Sequence, residues 1–135
     1  MRILGIDHGE RRVGFAVSDE LGITAQGLET FDRKSGDDLV DFTKRLVEEY
    51  DVAEIVIGYP IGLSGGEGAS GVMARELADV LQERLSVKVT LWDERFSSEE
   101  AKRVLRGHRA AKSAVDKIAA VIILQSYLDY LGRSR

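Results

Sequence analysis

The apolar positions of the chain follow two periods in turn. Residues 2–7 and 13–19 are short, nearly continuous apolar runs built on Ile3, Leu4 and Ile6 and on Val13, Phe15, Ala16 and Val17, and the polar, glycine-containing stretch 8–12 separates them. Runs of that length between turn signals predict two buried strands. A third strand is expected over 24–31, the least regular of the three because Gly27 lies inside it and Gly22 just before. From Ser35 the period lengthens: Leu39, Phe42, Leu46 and Val47 form an apolar stripe opposite Lys44, Arg45, Glu48 and Glu49, which predicts a helix to about residue 50. Asp37 and Asp38 in its first turn suit the positive end of the helix dipole. Val52 to Gly58, with Ile55, Val56 and Ile57 at its centre, reads as a buried strand ending at Gly58-Tyr59-Pro60.

Residues 61–70 contain four of the 14 glycines of the chain and predict a loop, a kind of segment that at strand ends commonly carries function. Val72, Leu77, Val80, Leu81 and Leu85 then mark a helix over 70–85, with Arg75 and Asp79 one turn apart. A strand over 87–92 stops at Asp93-Glu94-Arg95. Ser97 with Glu100 fits a capping box for a short helix over 97–106, with Gly107 behind it. A last helix is expected over 113–131. The first three strands have short connections and can form an antiparallel meander, whereas the two later strands are each reached through a helix and join in parallel. The expected fold is therefore α/β, a mixed five-stranded sheet with helices on both faces, in a single domain spanning 1–135.

Composition adds few constraints. The chain is 44% hydrophobic and 31% charged, with one proline and no cysteine, so disulfides and thiolate metal sites are excluded. No apolar run is long enough to span a bilayer, and Asp7 interrupts the first run before a secretory pattern could form, so the expected location is the cytoplasm, away from membranes. The formal net charge of −4 does not mark a nucleic-acid binder. Charge is unevenly distributed, however. Lys102, Arg103, Arg106, Arg109, Lys112 and Lys117, with His108, face a single acid, Asp116, in a basic island, while Asp37, Asp38, Asp41, Glu48 and Glu49 gather elsewhere. A solvated helix surface accounts for most such clusters; a phosphate-contacting surface is the alternative.

Three acidic points carry candidate chemistry. Asp7 ends the first strand, and Gly9 permits a sharp turn behind it. Asp93 and Glu94 end the last strand, and Asp116 lies near the start of the last helix. Each has a plain structural role available: Asp7 can open a turn, Asp93 or Glu94 can pair with Arg95, and Asp116 completes a capping box with Ser113. On spacing alone the cap is the better reading of Asp116. Yet Ala119, Ala120, Ile123 and Tyr127 share its helix face, and paired alanines let a helix press closely on a sheet, directing the acid toward the strand ends. Carboxylates that converge repel one another unless cations intervene, so convergence implies Mg²⁺ or Mn²⁺. Strand alternation puts Asp93 with Val87, Val89 and Leu91, and Glu94 with Lys88, Thr90 and Trp92; which of these faces meets Asp7 is open at this level.

Gly5-Ile6-Asp7-His8-Gly9 with Arg12-Val13-Gly14, Ile57-Gly58-Tyr59-Pro60, Asp93-Glu94-Arg95, and Asp116 with Ala119-Ala120 and Leu124-Gln125-Ser126-Tyr127-Leu128 together resemble the YqgF family. That family is described both as pre-16S rRNA nucleases and as Holliday-junction-resolvase-like. The resemblance runs in order over essentially the whole chain. It departs from the family after Pro60, where Gly62-Leu63-Ser64-Gly65-Gly66-Glu67-Gly68 replaces an Asn or Asp-Gly pattern. The resemblance implies a ribonuclease-H-like fold, phosphodiester hydrolysis with a divalent metal, and an acidic triad at Asp7, Glu94 and Asp116; it alone selects Glu94 over Asp93.

The leading expectation is then a metal-dependent endonuclease for structured nucleic acid, maturing the 5′ end of pre-16S rRNA. Asp7 would bridge two metal ions, with Glu94 and Asp116 completing their ligands. Arg11, Arg12, Arg95, Lys102, Arg103, Arg106, Arg109 and Lys112 would meet backbone phosphates, with specificity from nucleic-acid shape since no aromatic stacking platform is evident. Three rivals stand beside it: a branched-DNA resolvase, a non-catalytic nucleic-acid binding module, and a phosphotransferase of the actin and sugar-kinase kind. The last needs two domains where this length supplies one. A monomer and a homodimer are equally compatible with the sequence.

Overall fold

The computed structural model describes residues 1–60, 68–93 and 112–133, with side chains in the last segment from Lys117 onward. Among the described residues, β1 (Arg2–His8), β2 (Arg12–Ser18), β3 (Ala25–Gly27), β4 (Phe31–Asp32), β5 (Val52–Tyr59) and β6 (Lys88–Asp93) form one mixed sheet in the order β3-β2-β1-β5-β6, with β4 also paired to β2. β1 lies antiparallel to β2 and parallel to β5, and β6 lies parallel to β5. The antiparallel start and the two parallel additions are as the connection lengths predict. The expected short helix over 97–106 lies outside the described residues, as does the greater part of the glycine-rich loop.

The third strand differs from expectation. It is split into β3 (Ala25–Gly27) and β4 (Phe31–Asp32), both hydrogen-bonded to β2. Ala16 pairs with Gly27 and Val13 with Phe31, so four steps along the outer chain match three along β2. The extra residue is a bulge that breaks the ladder. Leu28 and Phe31 turn inward around it, and the Leu28 N–H still donates to the Phe15 carbonyl oxygen at 2.9 Å.

The first helix also starts later than Ser35. A single 3-10 turn occupies Arg33–Ser35, and Gly36 follows at φ 86°, a left-handed conformation through which a helix cannot continue. α1 (Leu39–Glu49) begins instead behind Asp38, whose Oδ1 accepts from the N–H groups of Val40 and Asp41 at 2.8 and 3.1 Å. α2 (Ala69–Arg84) and α3 (Lys112–Arg133) follow the expected segments.

Strand alternation divides the core into two layers. Leu4, Ile6, Val13, Phe15, Val17, Ile55 and Ile57 face α1 and α2, meeting Leu46, Leu77 and Leu81. Phe42 of α1 lies between Phe15 and Phe31, with both ring centroids 5.2 Å away. On the opposite face Ile3, Ala16, Val56 and Trp92 meet Ala120, Ile123, Leu124, Tyr127 and Leu128 of α3.

α3 approaches this second face over a row of small residues. Gly5, Ala16 and Gly27 are neighbours in register across β1, β2 and β3. A Cβ on Gly5 would lie 2.7 Å from Leu124 Cβ, and one on Gly27 would lie 2.5 Å from Lys117 Cγ, so the helix occupies the space side chains would fill. Polar side chains on α3 then fix its register. Gln125 Oε1 accepts from the Ala25 N–H at 2.9 Å and its Nε2 donates to the Ile23 carbonyl oxygen at 2.8 Å. Ser126 Oγ accepts from Trp92 Nε1 at 3.1 Å, and the Tyr127 hydroxyl donates to Glu54 Oε2 at 2.6 Å.

Candidate active site at the C-terminal end of β1

The face on which Asp7 lies follows from β1 itself. Gly5 is pressed beneath Ala120 and Leu124 of α3, while Leu4 and Ile6 belong to the opposite layer. Asp7, two residues beyond Gly5, shares the α3 face and is half-buried, paired in register with Gly14. α3 runs antiparallel to β1. Ala120 and Leu124 stand over Gly5, whereas Tyr127 reaches Glu54, whose register partner is Ile3 near the start of β1. Going back along α3 therefore leads toward the strand ends, and Asp116 stands one turn before Ala120 at that end of the helix.

The same alternation fixes the face of Asp93, the last residue of β6. Val89 and Leu91 pack against the α1 and α2 layer and Trp92 against α3. Asp93 has the parity of Val89 and Leu91, away from the face of Asp7. Glu94 itself lies outside the described residues, as do Arg95, Lys102, Arg103, Arg106 and Arg109, and the side chains of Lys112 and Asp116 are also outside them. Among the described residues, no three His, Cys, Asp or Glu side chains are grouped so as to hold a metal ion. What the structure brings together is Asp7, the N-terminal half of α3, and the turn carrying Arg11 and Arg12.

That turn is tightly folded. A Cβ on Gly9 would lie 2.5 Å from the Arg12 carbonyl oxygen, so no larger residue fits without backbone movement. Arg11 is exposed, with its Nε 3.9 Å from Asp32 Oδ1 across the β2–β4 pair, a weak surface ion pair. His8 has the parity of Ile6, on the far face of the sheet from Asp7. Burial first, and the Arg33 guanidinium second, push its pKa down to about 4, so it is neutral at neutral pH. Arg33 donates to His8 Nε2, which places the imidazole proton on Nδ1; that atom is buried and has no hydrogen-bond partner among the described residues.

Arg33 escapes sequence reasoning because it lies in no periodic segment. Its place beside the turn depends on the bulge between β3 and β4. The oxygen-donor chemistry of Asp7, without cysteine anywhere in the chain and with His8 turned to the other face, suits a hard divalent cation such as Mg²⁺ or Mn²⁺. No helix among the described residues is long and apolar enough to cross a membrane.

Comparison with known proteins gives the family. Residues 1–130 match the family model described as RuvX, Holliday junction resolvase. Curated relatives carry the name "Putative pre-16S rRNA nuclease": one from Halothermothrix orenii is 44% identical, covering 98% of both chains, and one from Koribacter versatilis is 45% identical, covering 99% of this chain and 90% of its own. Among solved structures, RuvC of Thermus thermophilus in complex with a Holliday junction substrate aligns over 98% of this chain and 96% of its own, at 16% identity and TM-score 0.70. The fowlpox virus Holliday junction resolvase aligns over 97% of this chain and 99% of its own, at 11% identity and TM-score 0.57. These two likenesses establish the ribonuclease-H-like fold. The chain belongs to the RuvX (YqgF) family and is a nuclease, a hydrolase built on that fold.

Proposed function

We propose that the chain is a divalent-metal-dependent endonuclease for structured nucleic acid, acting in the cytoplasm as a single domain, with the 5′ end of pre-16S rRNA as its substrate. The observation that carries the proposal is sidedness: Asp7 lies on the α3 face of the sheet, and α3 runs with its Asp116 end toward the strand ends. The parity of β6 supports Glu94 as the third acid, since Asp93 has the parity of the opposite layer. Asp7, Glu94 and Asp116 would hold Mg²⁺ or Mn²⁺ through carboxylate oxygens. When bound, the cation supplies a water of lowered pKa and positive charge opposite the leaving oxygen.

The remaining work belongs to the chain. β1 is buried on both faces up to Ile6, so it presents Asp7 from a rigid support. Arg11 and Arg12, on the turn that follows, suit the phosphates flanking the scissile bond, as do the basic residues from Arg95 to Lys112, and such contacts weaken as salt rises. The names of the curated relatives favour ribosomal RNA precursor. The description of the family model favours branched DNA, which is the second reading.

The test is Asp7→Asn, which keeps the shape and removes the charge. Cleavage of a pre-16S 5′-end RNA and of a synthetic four-way DNA junction is measured in Mg²⁺, with EDTA as control. Loss of a ligand worth several kcal/mol predicts a fall on the order of 100-fold or more, with substrate binding in EDTA unchanged. Undiminished cleavage by Asp7→Asn with binding intact refutes the assignment of the acids. Cleavage of the junction alone moves the substrate to the second reading.

A further inference from the structure

The turn that follows Asp7 is held by a side chain from another part of the fold. Arg33, in the 3-10 turn after β4, donates from Nε to the Gly9 carbonyl oxygen at 3.1 Å and from a terminal nitrogen to His8 Nε2. Its backbone N–H donates to the Arg11 carbonyl oxygen at 2.8 Å. One residue thus ties three of the residues between Asp7 and Arg12. The β1–β2 ladder gives little restraint there: its last pairs are Asp7 with Gly14 and His8 with Val13, and residues 9–11 lie beyond it.

We propose that Arg33 is a positioning residue for Asp7. Its fork holds His8 and Gly9, the two residues directly after Asp7, and so fixes the direction in which the carboxylate leaves the end of β1. The proposal rests on the reading of Asp7 as a metal ligand. A guanidinium is suited to this task because its N–H groups lie in one plane at fixed angles and it remains charged at any relevant pH. Lysine offers a single mobile ammonium, which can reach one of the two acceptors but does not reproduce the fork. The imidazole of His8 gives the fork a stiff partner, and Gly9 leaves its carbonyl exposed to it while the backbone folds back against Arg12. Sites of this kind tolerate about 0.5 Å of error, and a misplacement near 1 Å can cost about 100-fold in rate.

The test uses Arg33→Ala, Arg33→Lys and Asp7→Asn in the full chain, each checked by thermal melting. Two readouts are taken: steady-state cleavage of the RNA and junction substrates in Mg²⁺, and amide hydrogen exchange of residues 8–12 in the metal-free protein. In the Arg33 variants kcat falls about 10- to 100-fold with KM within about twofold, exchange at residues 8–12 quickens while the Ile6 amide is unchanged, and methylguanidinium restores part of the kcat of Arg33→Ala. If Arg33→Ala does not fold, Arg33→Lys carries the test, with the same split between kcat and KM. Wild-type kcat in a folded Arg33 variant overturns the proposal. So does an effect confined to KM with a shallower salt dependence, which identifies Arg33 as a direct phosphate contact. Full cleavage by Asp7→Asn removes the reading on which the proposal rests. An inactive Asp7→Asn beside fully active Arg33 variants removes the positioning role alone.

Discussion

Replacing Gly5 by alanine places a methyl group 2.7 Å from Leu124 Cβ and 3.4 Å from the Ala120 carbonyl oxygen. Carbon atoms pack at about 3.5–4.0 Å, so the first contact must open by about 1 Å. Leu124 Cβ is attached to the helix backbone and cannot rotate away, so α3 moves or β1 bends. Overpacking of this kind costs about 1–3 kcal/mol, offset by about 0.5–1 kcal/mol because alanine loses less backbone entropy than glycine within a strand. A net loss of about 1–2 kcal/mol is expected, seen as a lower urea midpoint at unchanged slope. Because α3 also carries Asp116, a shift near 1 Å should lower kcat by about 10- to 100-fold. Gly27→Ala is the control in the same row. Its Cβ meets Lys117 Cγ and Cδ at 2.5 and 2.7 Å, and a lysine side chain can swing aside, so stability falls by less than about 1 kcal/mol and activity is kept. A wild-type midpoint and kcat for Gly5→Ala, or equal damage from Gly27→Ala, would show that α3 is not seated on this row as described.

Two further predictions concern stability. Tyr127→Phe removes a 2.6 Å hydrogen bond from the buried Glu54 carboxylate, leaving Thr90 Oγ1 at 2.9 Å and Lys88 Nζ at 4.0 Å, and should cost about 1.5–3 kcal/mol in urea unfolding at pH 8. Burial, then the Glu54 hydrogen bond and charge, push the Tyr127 phenol up to about 12 from 10.0, so the gap between wild type and variant should be full below pH 10 and close as the pH rises toward 12; a constant gap refutes the linkage. Gly68→Ser supplies the side-chain cap that α2 lacks, at φ −91° and with open space around the new Cβ; the thermal midpoint should rise by the equivalent of about 0.5–1 kcal/mol, and an unchanged or lower midpoint refutes it.

The strands and helices were legible wherever one period ran without interruption. Ile3 to Ile6 and Ile55 to Ile57 are buried throughout, and the α1 stripe packs on the core, Leu46 fully and Leu39, Phe42 and Val47 in part, although Thr43, which the stripe does not select, is buried as well. The split of β3 from β4 was not legible, because a bulge is a count of residues between two pairings and shows in neither strand separately. The start of α1 was misplaced because Ser35 and Asp38 are both good caps, and only the left-handed Gly36 between them excludes the first. Asp7 could be found as a strand-end acid, but its face became known only from Gly5, where the absence of a side chain is what α3 reads. Arg33 could not be found at all, since the residues it holds are reached through the bulge.

The motif Leu124-Gln125-Ser126-Tyr127-Leu128, which signals the family in the sequence, acts in the structure as a device for register. Leu124 and Leu128 are buried, and the three polar residues between them bond to three different places: Gln125 to the start of β3, Ser126 to Trp92 of β6, and Tyr127 to Glu54 of β5. A slide of α3 by one turn, about 5.4 Å, would break all of these bonds together, taking from the Glu54 carboxylate its shortest hydrogen bond and from the Trp92 indole N–H its Ser126 acceptor. Asp116 lies nine residues before Gln125, about 13.5 Å along the helix at 1.5 Å per residue. Its height along β1 is therefore set from the far end of α3, while Gly5 sets how closely the helix approaches the sheet. This division also explains why the Tyr127→Phe change should lower stability more than activity: Gln125 and Ser126 still hold the register, whereas the added methyl of Gly5→Ala moves the helix as a whole.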